Sequence, residues 1–209
     1  MSKNAAKTAT SRPALPLILA SGSPHRRALL QRLGLPFEVV APEIDEAPLA
    51  DERPADTAVR LAEAKARAVA RSHRRALIIG SDQVADLGGK PIGKPRDRAD
   101  ALEQLRAMRG RTVVFHTAVA LLNAATGACR SALVDVASTF RSLDDTALAA
   151  YLDRERPFDC AGSVRAEALG IALFTRIASD DPSALIGLPL IRLTDLLEAE
   201  GLRPLPPAP

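Results

Sequence analysis

Two serines, a proline and three basic residues lie together near the start of this sequence, and together they could bind an anion. They form the stretch SGSPHRR, residues 21–27, between an apolar run and a helical pattern. Ser23 is a good helix N-cap, and Pro24 suits the first helical position. The cations that follow are unfavourable at the positive end of a helix dipole, each by about 0.3–1 kcal/mol at low salt. An anion bound at the helix N-terminus would remove that penalty.

Two interpretations of this stretch stay open. In the first, backbone N–H groups, the hydroxyls of Ser21 and Ser23 and the guanidinium of Arg26 form a phosphate cradle. In the second, the stretch is an ordinary capped helix whose arginines face water. The charge placement favours the cradle. The stretch at 21–27 is not a P-loop, because the motif GxxxxGK[ST] is absent. No GxGxxG fingerprint follows a predicted strand.

Carboxylates in two further positions could bind a divalent cation or accept a proton. Glu46 ends the acidic loop EIDE, residues 43–46, and Asp82 lies in GSDQ, residues 80–83, at the end of an apolar strand pattern. A sheet end positions a carboxylate rigidly while a cleft limits its solvation, so Asp82 could hold a metal or take a proton from water. A solvated turn at Glu46 and a turn-forming role for Asp82 are the alternatives.

Two lysines add positive charge to this set. Lys65 lies in the helical run LAEAKARAVA, where a solvated face is the alternative, and Lys94 is held between Gly93 and Pro95. Together with Arg26, these lysines could balance the charge of a polyphosphate while the carboxylates hold its metal. Phosphate-ester chemistry depends largely on such positioning and charge stabilisation.

The elements that must position these residues follow an α/β pattern, with a mixed central sheet and flanking helices, because hairpins interrupt the strand–helix alternation. In open sheets of this kind, ligands bind at strand ends and strand-to-helix turns. The predicted strands are 17–20, 37–40, 76–80, 112–122, 132–140, 158–162 and 171–177. The predicted helices are 24–33, 55–71, 98–109, 144–154 and 188–200.

Length and composition predict one domain over residues 16–202, with a flexible extension at 1–15 and a flexible proline-rich tail at 203–209. The chain has 209 residues, of which 47% are apolar and 25% charged. No apolar stretch approaches the roughly 18–20 residues that a membrane span needs, and the start lacks the apolar core of a signal peptide. We therefore expect a cytoplasmic protein without a membrane partner.

The net charge and the aromatic content restrict the classes of partner that this chain could bind. The net charge is +3 and aromatic residues make up 3%, which argues against a single-strand nucleic-acid platform with stacking surfaces in a basic groove. A small anionic ligand remains possible. Cys129 and Cys160 are isolated and form no CxxC motif, so neither a metal knuckle nor a disulfide framework is indicated.

The ordered motifs resemble the Maf family of nucleoside triphosphate pyrophosphatases over about residues 16–200. Each motif is weak alone, but the ordered set at these separations is specific. The matching motifs are Ser21-x-Ser23-Pro24-x-Arg26, Glu43-x-Asp45-Glu46, Ala64-Lys65-Ala66, Gly80-Ser81-Asp82-Gln83, Gly93-Lys94-Pro95, Cys160-Ala161-Gly162-Ser163 and Ile186-Gly187-Leu188-Pro189.

The resemblance implies an enzyme that cleaves a nucleotide between its α- and β-phosphates with Mg²⁺ or Mn²⁺. It also implies two lobes around a deep cleft and a possible homodimer. Asp82 would be the general base, and Glu46 would bind the metal with it. The triphosphate would be held by Ser21, Ser23, Arg26, Lys65 and Lys94, and both lysines would also assist catalysis.

Three residues bear on base specificity: His25, Gln83 and Glu167. Family members acting on dTTP and UTP typically carry SPRR and a glutamine where this chain has SPHRR and Glu167. The branch acting on 7-methyl-GTP is similar to this chain in SPWRRALL, in CAGS and in the glutamate. A carboxylate can accept the N1–H and N2–H₂ edge of guanine, and a flat ring at position 25 could stack on the cationic base.

We therefore predict hydrolysis of 7-methyl-GTP to 7-methyl-GMP and diphosphate, which would remove modified nucleotides from the pool. Three alternatives stay open: a dTTP or UTP pyrophosphatase of the same family, a phosphatase that releases single phosphates, and a nucleotide-binding regulator of septum formation. The family link to cell-division arrest supports the last. Asp82 and Glu46 beside a triphosphate would weaken simple binding unless a metal offsets them, which favours catalysis.

Overall fold

A mixed β-sheet of seven strands runs through the part of the chain that the computed structural model describes, residues 15–205. The strands are β1 (Leu17–Ala20), β2 (Glu38–Val39), β3 (Leu77–Asp86), β4 (Pro91–Ile92), β5 (Thr112–Asn123), β6 (Ala128–Phe140) and β7 (Phe174–Ala178). The helices are α1 (Pro24–Gln31), α2 (Pro54–Ala70), α3 (Arg98–Met108), α4 (Asp145–Glu155) and α5 (Leu190–Ala199). The predicted α/β class and mixed sheet are confirmed.

Strand β3 connects the parallel and antiparallel parts of the sheet. The strand order is β2-β1-β3-β5-β6-β7, and β4 pairs with the far end of β3. Residues Leu77 to Gly80 pair in parallel with β1, which is buried along its length as interior parallel strands usually are. The whole of β3 pairs antiparallel with β5. Asp82 therefore lies just past the carboxyl end of β1, where the chain turns towards α1.

Helix α2 packs directly against β3 and β5. A Cβ atom on Gly80 would lie 2.0 Å from the carbonyl oxygen of Ala62, so only glycine permits this approach. The contact is lined by small buried alanines, namely Ala58, Ala62, Ala118 and Ala120. Because residues two apart on a strand share a face, the side chain at position 82 also faces this helix.

The two largest hydrophobic clusters among the described residues pack on the sheet. One contains β1, α1 and α5 side chains such as Leu19, Leu30 and Leu193. The other surrounds α3 and α4 and includes Phe115 and Leu152. The predicted hairpin of β5 and β6 is confirmed, with pairing from Thr112↔Thr139 to Asn123↔Ala128. A division into two lobes around a deep cleft stays a prediction.

The structure differs from the sequence prediction in several regions. The strand predicted at 76–80 continues to Asp86, because this segment keeps its pairing with β5, so Asp82 and Gln83 lie within β3 and not after its end. Residues 158–162 form turns and the start of a short 3-10 helix rather than a strand. Gly162 and Ser163 have φ values of 65° and 57°, a left-handed conformation that a strand cannot contain. The strand predicted at 171–177 is shorter, because a 3-10 helix occupies Leu169–Leu173 and β7 begins at Phe174.

The predicted flexible segments at 1–15 and 203–209 lie outside the described residues, apart from Leu15 and residues 203–205. Between residues 15 and 205, no helix has both the length and the apolar character needed to cross a membrane.

Candidate active site

The ten residues predicted to form the site all line one cavity of about 710 Å³. They come from α1, α2, β3 and the loops between elements. They are Ser21, Ser23, His25, Arg26, Glu46, Lys65, Asp82, Gln83, Lys94 and Glu167. The structure thus brings together residues that are widely separated along the chain, while their individual roles stay predictions.

The turn from β1 into α1 presents the helix N-terminus to this cavity. Ser21 Oγ accepts a hydrogen bond of 3.1 Å from the backbone N–H of Ser23, and Ser23 Oγ accepts one of 3.4 Å from the backbone N–H of Arg26. Ser23 is the N-cap, and the first turn contains no acidic residue. The hydroxyl hydrogens of both serines remain available to donate, so this turn can bind an anionic group.

The Arg26 side chain is held by the backbone of a distant segment. Its Nε donates to the carbonyl oxygen of Gly187 over 2.8 Å, a neutral acceptor rather than a carboxylate. The hydroxyl of Ser81 donates to the same carbonyl over 2.9 Å. Burial lowers the pKa of Arg26, and the charges of Asp82 and Glu46 oppose that shift. A bound anion would compensate for this desolvated positive charge.

Lys65 lies between two carboxylates, and we call Glu46, Lys65 and Asp82 the lysine cluster. Lys65 Nζ is 2.6 Å from Asp82 Oδ1 and 2.8 Å from Glu46 Oε1. The side chains of Lys65 and Asp82 are 5% and 10% exposed, whereas that of Glu46 is 51% exposed. The cluster therefore combines a buried ion pair with a carboxylate that faces the cavity.

The loop carrying Glu46 is tied to α2 by an arginine. Arg60 makes hydrogen bonds to Glu52 and donates from Nη2 to the carbonyl oxygen of Ala47 over 3.1 Å.

The Glu46 carboxyl group has a lowered pKa. Partial burial raises the pKa, but the Lys65 hydrogen bond and the nearby positive charges outweigh burial, so the pKa of Glu46 is below its ordinary value. Glu46 therefore stays ionised at neutral pH.

The lysine cluster fits a hard divalent cation. Glu46 and Asp82 offer carboxylate oxygens, the donors that Mg²⁺ prefers, and Mg²⁺ usually binds through one or two carboxylates plus substrate phosphates. Both carboxylates line the same cavity as the anion-binding turn of α1. These two residues could hold Mg²⁺ or Mn²⁺ beside a bound phosphate.

Lys94 and Gln83 line the cavity in different ways. Lys94 is exposed in the loop after β4 and free to contact a ligand. Gln83 uses its amide nitrogen to donate to Thr117 Oγ1 over 2.9 Å and to two backbone carbonyls of the segment before α5. Only the side-chain carbonyl oxygen of Gln83 is therefore left for a ligand. The two bonds from its amide nitrogen to backbone carbonyls hold the segment that leads to Gly187.

A second group lines the same cavity, and we call His25, Asp159 and Cys160 the cysteine cluster. One ligand-type atom from each residue lies within 4.8 Å of the others. The Arg165 guanidinium contacts Asp159 Oδ1 at 2.9 Å and Glu155 Oε1 at 3.1 Å. Burial and the charge of Asp159 raise the pKa of Cys160 to about 11, so its thiol is protonated at neutral pH.

The two residues predicted to read the base contact each other. His25 Nδ1 is 2.7 Å from Glu167 Oε1, and each side chain is about a quarter exposed, at 27% and 26%. Among the described residues that line the cavity, His25 supplies the only aromatic ring. A base that binds to Glu167 must therefore displace or share this contact.

Sequence reasoning assigned no role to Ser81, Gly187, Asp159 or Cys160. The Gly187 carbonyl oxygen accepts from Arg26, and the Ser81 hydroxyl donates to the same oxygen. No local sequence pattern predicts contacts to a distant backbone carbonyl. Asp159 and Cys160 were placed in a strand. The Pro157 and Gly162 that flank them are turn-forming residues and were the available signal for an exposed turn.

The fold and this cavity define an α/β protein in which a helix N-terminus able to accept an anion lies beside two carboxylates. The family model described as Maf-like protein matches residues 16–200, so the chain belongs to the Maf family.

Curated relatives cover almost the same length. A protein of Cupriavidus metallidurans is 57% identical over 91% of this chain and 95% of its own. One of Ralstonia nicotianae is 59% identical over 87% and 94%, and one of Aromatoleum aromaticum is 56% identical over 89% and 96%. All three relatives are named 7-methyl-GTP pyrophosphatase.

Proposed function

We propose that this chain hydrolyses 7-methyl-GTP to 7-methyl-GMP and diphosphate with Mg²⁺ or Mn²⁺. The observation that carries the proposal is the lysine cluster, in which a buried ion pair and an ionised carboxylate share one cavity with the N-terminus of α1. The names of the curated relatives support the choice of base.

The triphosphate binds along the positive side of the cavity. Backbone N–H groups at the start of α1 and the hydroxyls of Ser21 and Ser23 donate to phosphate oxygens. Arg26, held by Gly187, and Lys94 supply charge-assisted contacts. Such contacts orient the phosphates and neutralise the charge that develops during phosphoryl transfer.

Asp82 accepts the proton of the attacking water. Lys65 occupies Oδ1, which leaves Oδ2 for the water. The water oxygen attacks phosphorus, the α–β phosphoanhydride bond breaks and diphosphate leaves with the bonding electrons. Lys65 stabilises the negative charge of the transition state. Glu46 and Asp82 would hold a divalent cation, which would supply further positive charge to the phosphates.

Glu167 reads the base. Its carboxylate accepts hydrogen bonds from the N1–H and N2–H₂ edge of guanine and is repelled by the acceptor oxygens of uracil or thymine. Methylation at N7 makes the ring cationic, which adds attraction to this carboxylate. His25 gives up its contact with Glu167 and stacks on the ring.

A substrate panel tests the reaction and the base. The protein is incubated with 7-methyl-GTP, GTP, dTTP, UTP and CTP plus Mg²⁺, and diphosphate and phosphate are measured separately. We expect diphosphate, with 7-methyl-GTP preferred by about tenfold or more, the equivalent of one good polar contact. Release of phosphate alone would identify a phosphatase, and preference for dTTP or UTP would overturn the role of Glu167.

A variant tests the general base. Asp82→Asn should lower kcat by about 10²–10⁴-fold, the usual contribution of a positioned base, while nucleotide binding persists. Asp195→Asn, at an exposed position on α5, is the matched control and should retain activity. Unchanged turnover in Asp82→Asn would refute the mechanism, and binding without turnover in the unaltered protein would indicate a nucleotide-binding regulator.

The proposal includes a cytoplasmic location, since the substrate is an intracellular nucleotide, and removal of modified nucleotides from the pool. A homodimer and the role in septum formation stay predictions.

A further inference from the structure

We propose that the cysteine cluster is a second metal site, which takes Zn²⁺ or a similar borderline-soft divalent cation and thereby blocks access of a base to Glu167. The lysine cluster shares no ligand with it. The site itself stands without the proposed function, and only the competition with a base rests on that function.

The donor atoms select the metal. His25 offers an imidazole nitrogen, Cys160 a sulfur and Asp159 a carboxylate oxygen, all within 4.8 Å of one another. Imidazole and thiolate suit Zn²⁺, whereas Mg²⁺ prefers oxygen donors alone. Metal binding would displace the proton of the Cys160 thiol to solvent. A zinc site with three protein ligands keeps its fourth position for water or another ligand. The cysteine cluster thus differs from the lysine cluster in donor chemistry as well as in residues.

The geometry needs little adjustment. With zinc–ligand distances of about 2.0–2.3 Å, ligand atoms of a tetrahedral site lie roughly 3.5 Å apart. The three donor atoms are already within 4.8 Å of one another, and their side chains have room to rotate, because Asp159 is exposed and both His25 and Cys160 are partly exposed. Cys160 and Asp159 are adjacent in the turn after α4, and His25 faces them from the start of α1.

Neighbouring groups already orient these ligands. Glu167 contacts His25 Nδ1 at 2.7 Å and leaves Nε2 available. A carboxylate on the opposite ring nitrogen is the arrangement that orients metal-binding histidines. Arg165 holds Asp159 through Oδ1 and leaves Oδ2 available, while Glu155 offsets the charge of Arg165.

Zn²⁺ and the base of a nucleotide would compete, because both depend on His25 and Glu167. A cation bound to His25 keeps its ring paired with Glu167, so the ring cannot move to stack on a base and the carboxylate cannot accept the guanine edge. Zn²⁺ would therefore compete with the base of a nucleotide and not with Mg²⁺ at Glu46 and Asp82.

Cobalt substitution tests the site directly. Full-length protein without an affinity tag is titrated with Co²⁺ and Zn²⁺ in excess Mg²⁺, by optical absorption and calorimetry. We expect one tight site per chain, with thiolate-to-cobalt charge-transfer absorption that Zn²⁺ removes. Cys160→Ser should abolish that absorption and weaken Zn²⁺ binding by at least about 10–100-fold, the loss that even outer contacts of a metal site produce.

Cys129→Ser is the matched control for Cys160→Ser. It removes the other cysteine of the chain, which lies on β6, and should retain the cobalt absorption and the affinity for Zn²⁺. Unchanged Zn²⁺ binding in Cys160→Ser, with its melting temperature unchanged, would overturn the proposal. So would loss of the absorption in Cys129→Ser.

Competition with the nucleotide is measured separately. Zn²⁺ should raise KM for 7-methyl-GTP in the unaltered protein and much less in Cys160→Ser, with kcat retained at saturating substrate. If the chain turned over no nucleotide, the proposed function would fail, whereas the cobalt spectrum would still decide whether the metal site exists.

Discussion

The lysine cluster and the cysteine cluster line the same cavity but are built in opposite ways. Lys65 and Asp82 project from a helix and a strand that pack closely, and both are nearly buried. His25, Asp159 and Cys160 come from the start of a helix and an irregular turn, and all are partly or fully exposed. The first arrangement holds its charges in fixed positions, whereas the side chains of the second have room to rotate.

The largest expected effect comes from removing the shared cation. Lys65→Met leaves Asp82 buried without its partner, so the free energy of unfolding should fall by about 3 kcal/mol or more. Denaturant unfolding measures this loss. Lys94→Met, at an exposed position lining the same cavity, should leave the stability nearly unchanged.

A second substitution makes the Lys65 result interpretable. Adding Asp82→Asn to Lys65→Met removes the buried charge and should restore part of the lost stability. Equal stability of the single and double variants would mean that the ion pair is not the cause of the loss.

The next largest effect tests how close packing positions the lysine cluster. Gly80→Ala places a methyl group 2.0 Å from the Ala62 carbonyl oxygen, and α2 must move away. We expect destabilisation of about 1–3 kcal/mol, typical of overpacking, and lower activity because Lys65 moves with the helix. Thermal unfolding measures the first effect and kcat the second.

Gly93→Ala is the matched stability control, because nothing lies within 4 Å of a Cβ atom at that position. If Gly80→Ala proved as stable as Gly93→Ala, the close approach of α2 to β3 would not matter for the site.

The pH dependence of the free energy of unfolding tests how the loop that carries Glu46 is held. The Arg60 hydrogen bond lowers the pKa of Glu52 from 4.5 to about 2. A depressed folded-state pKa contributes stability above pH 4.5 that is lost as the pH falls towards 2. Glu52→Gln should therefore be less stable than the unaltered protein at pH 6, and the two should converge near pH 2.

Unfolding measured across this pH range checks the expectation, with Glu103→Gln, exposed on α3, as the control. A constant difference between Glu52→Gln and the unaltered protein down to pH 2 would show that ionisation of Glu52 is not responsible.

The smallest effect on stability is expected at the exposed side of the cavity. Glu167→Gln breaks a quarter-exposed pair, so the free energy of unfolding should change by less than about 1 kcal/mol. Base preference should change more: discrimination for 7-methyl-GTP over UTP should fall about tenfold, since a hydrogen bond to a charged group contributes about 1.5–3 kcal/mol. Competition kinetics with mixed substrates measures it, and Glu198→Gln on α5 is the control.

Local patterns predicted several elements correctly. Apolar runs identified β1 and the first residues of β3, and the Ser23-Pro24 pair identified the start of α1. The strand predicted at 158–162 was wrong, because an apolar and aromatic composition is typical of a strand while Gly162 and Ser163 adopt left-handed conformations. The cysteine cluster was missed for the same reason.

The amino-acid sequence was sufficient to predict the family, from its ordered motifs, and to predict the start of α1 and the strand at 76–80. The two elements follow from local residue types. Three sets of contacts became visible only in the folded chain. Lys65 contacts Asp82 and Glu46, Arg26 donates to Gly187 from 161 positions away, and His25 contacts Glu167. Contacts between distant segments depend on how the helices pack on the sheet, and local sequence patterns do not predict that packing.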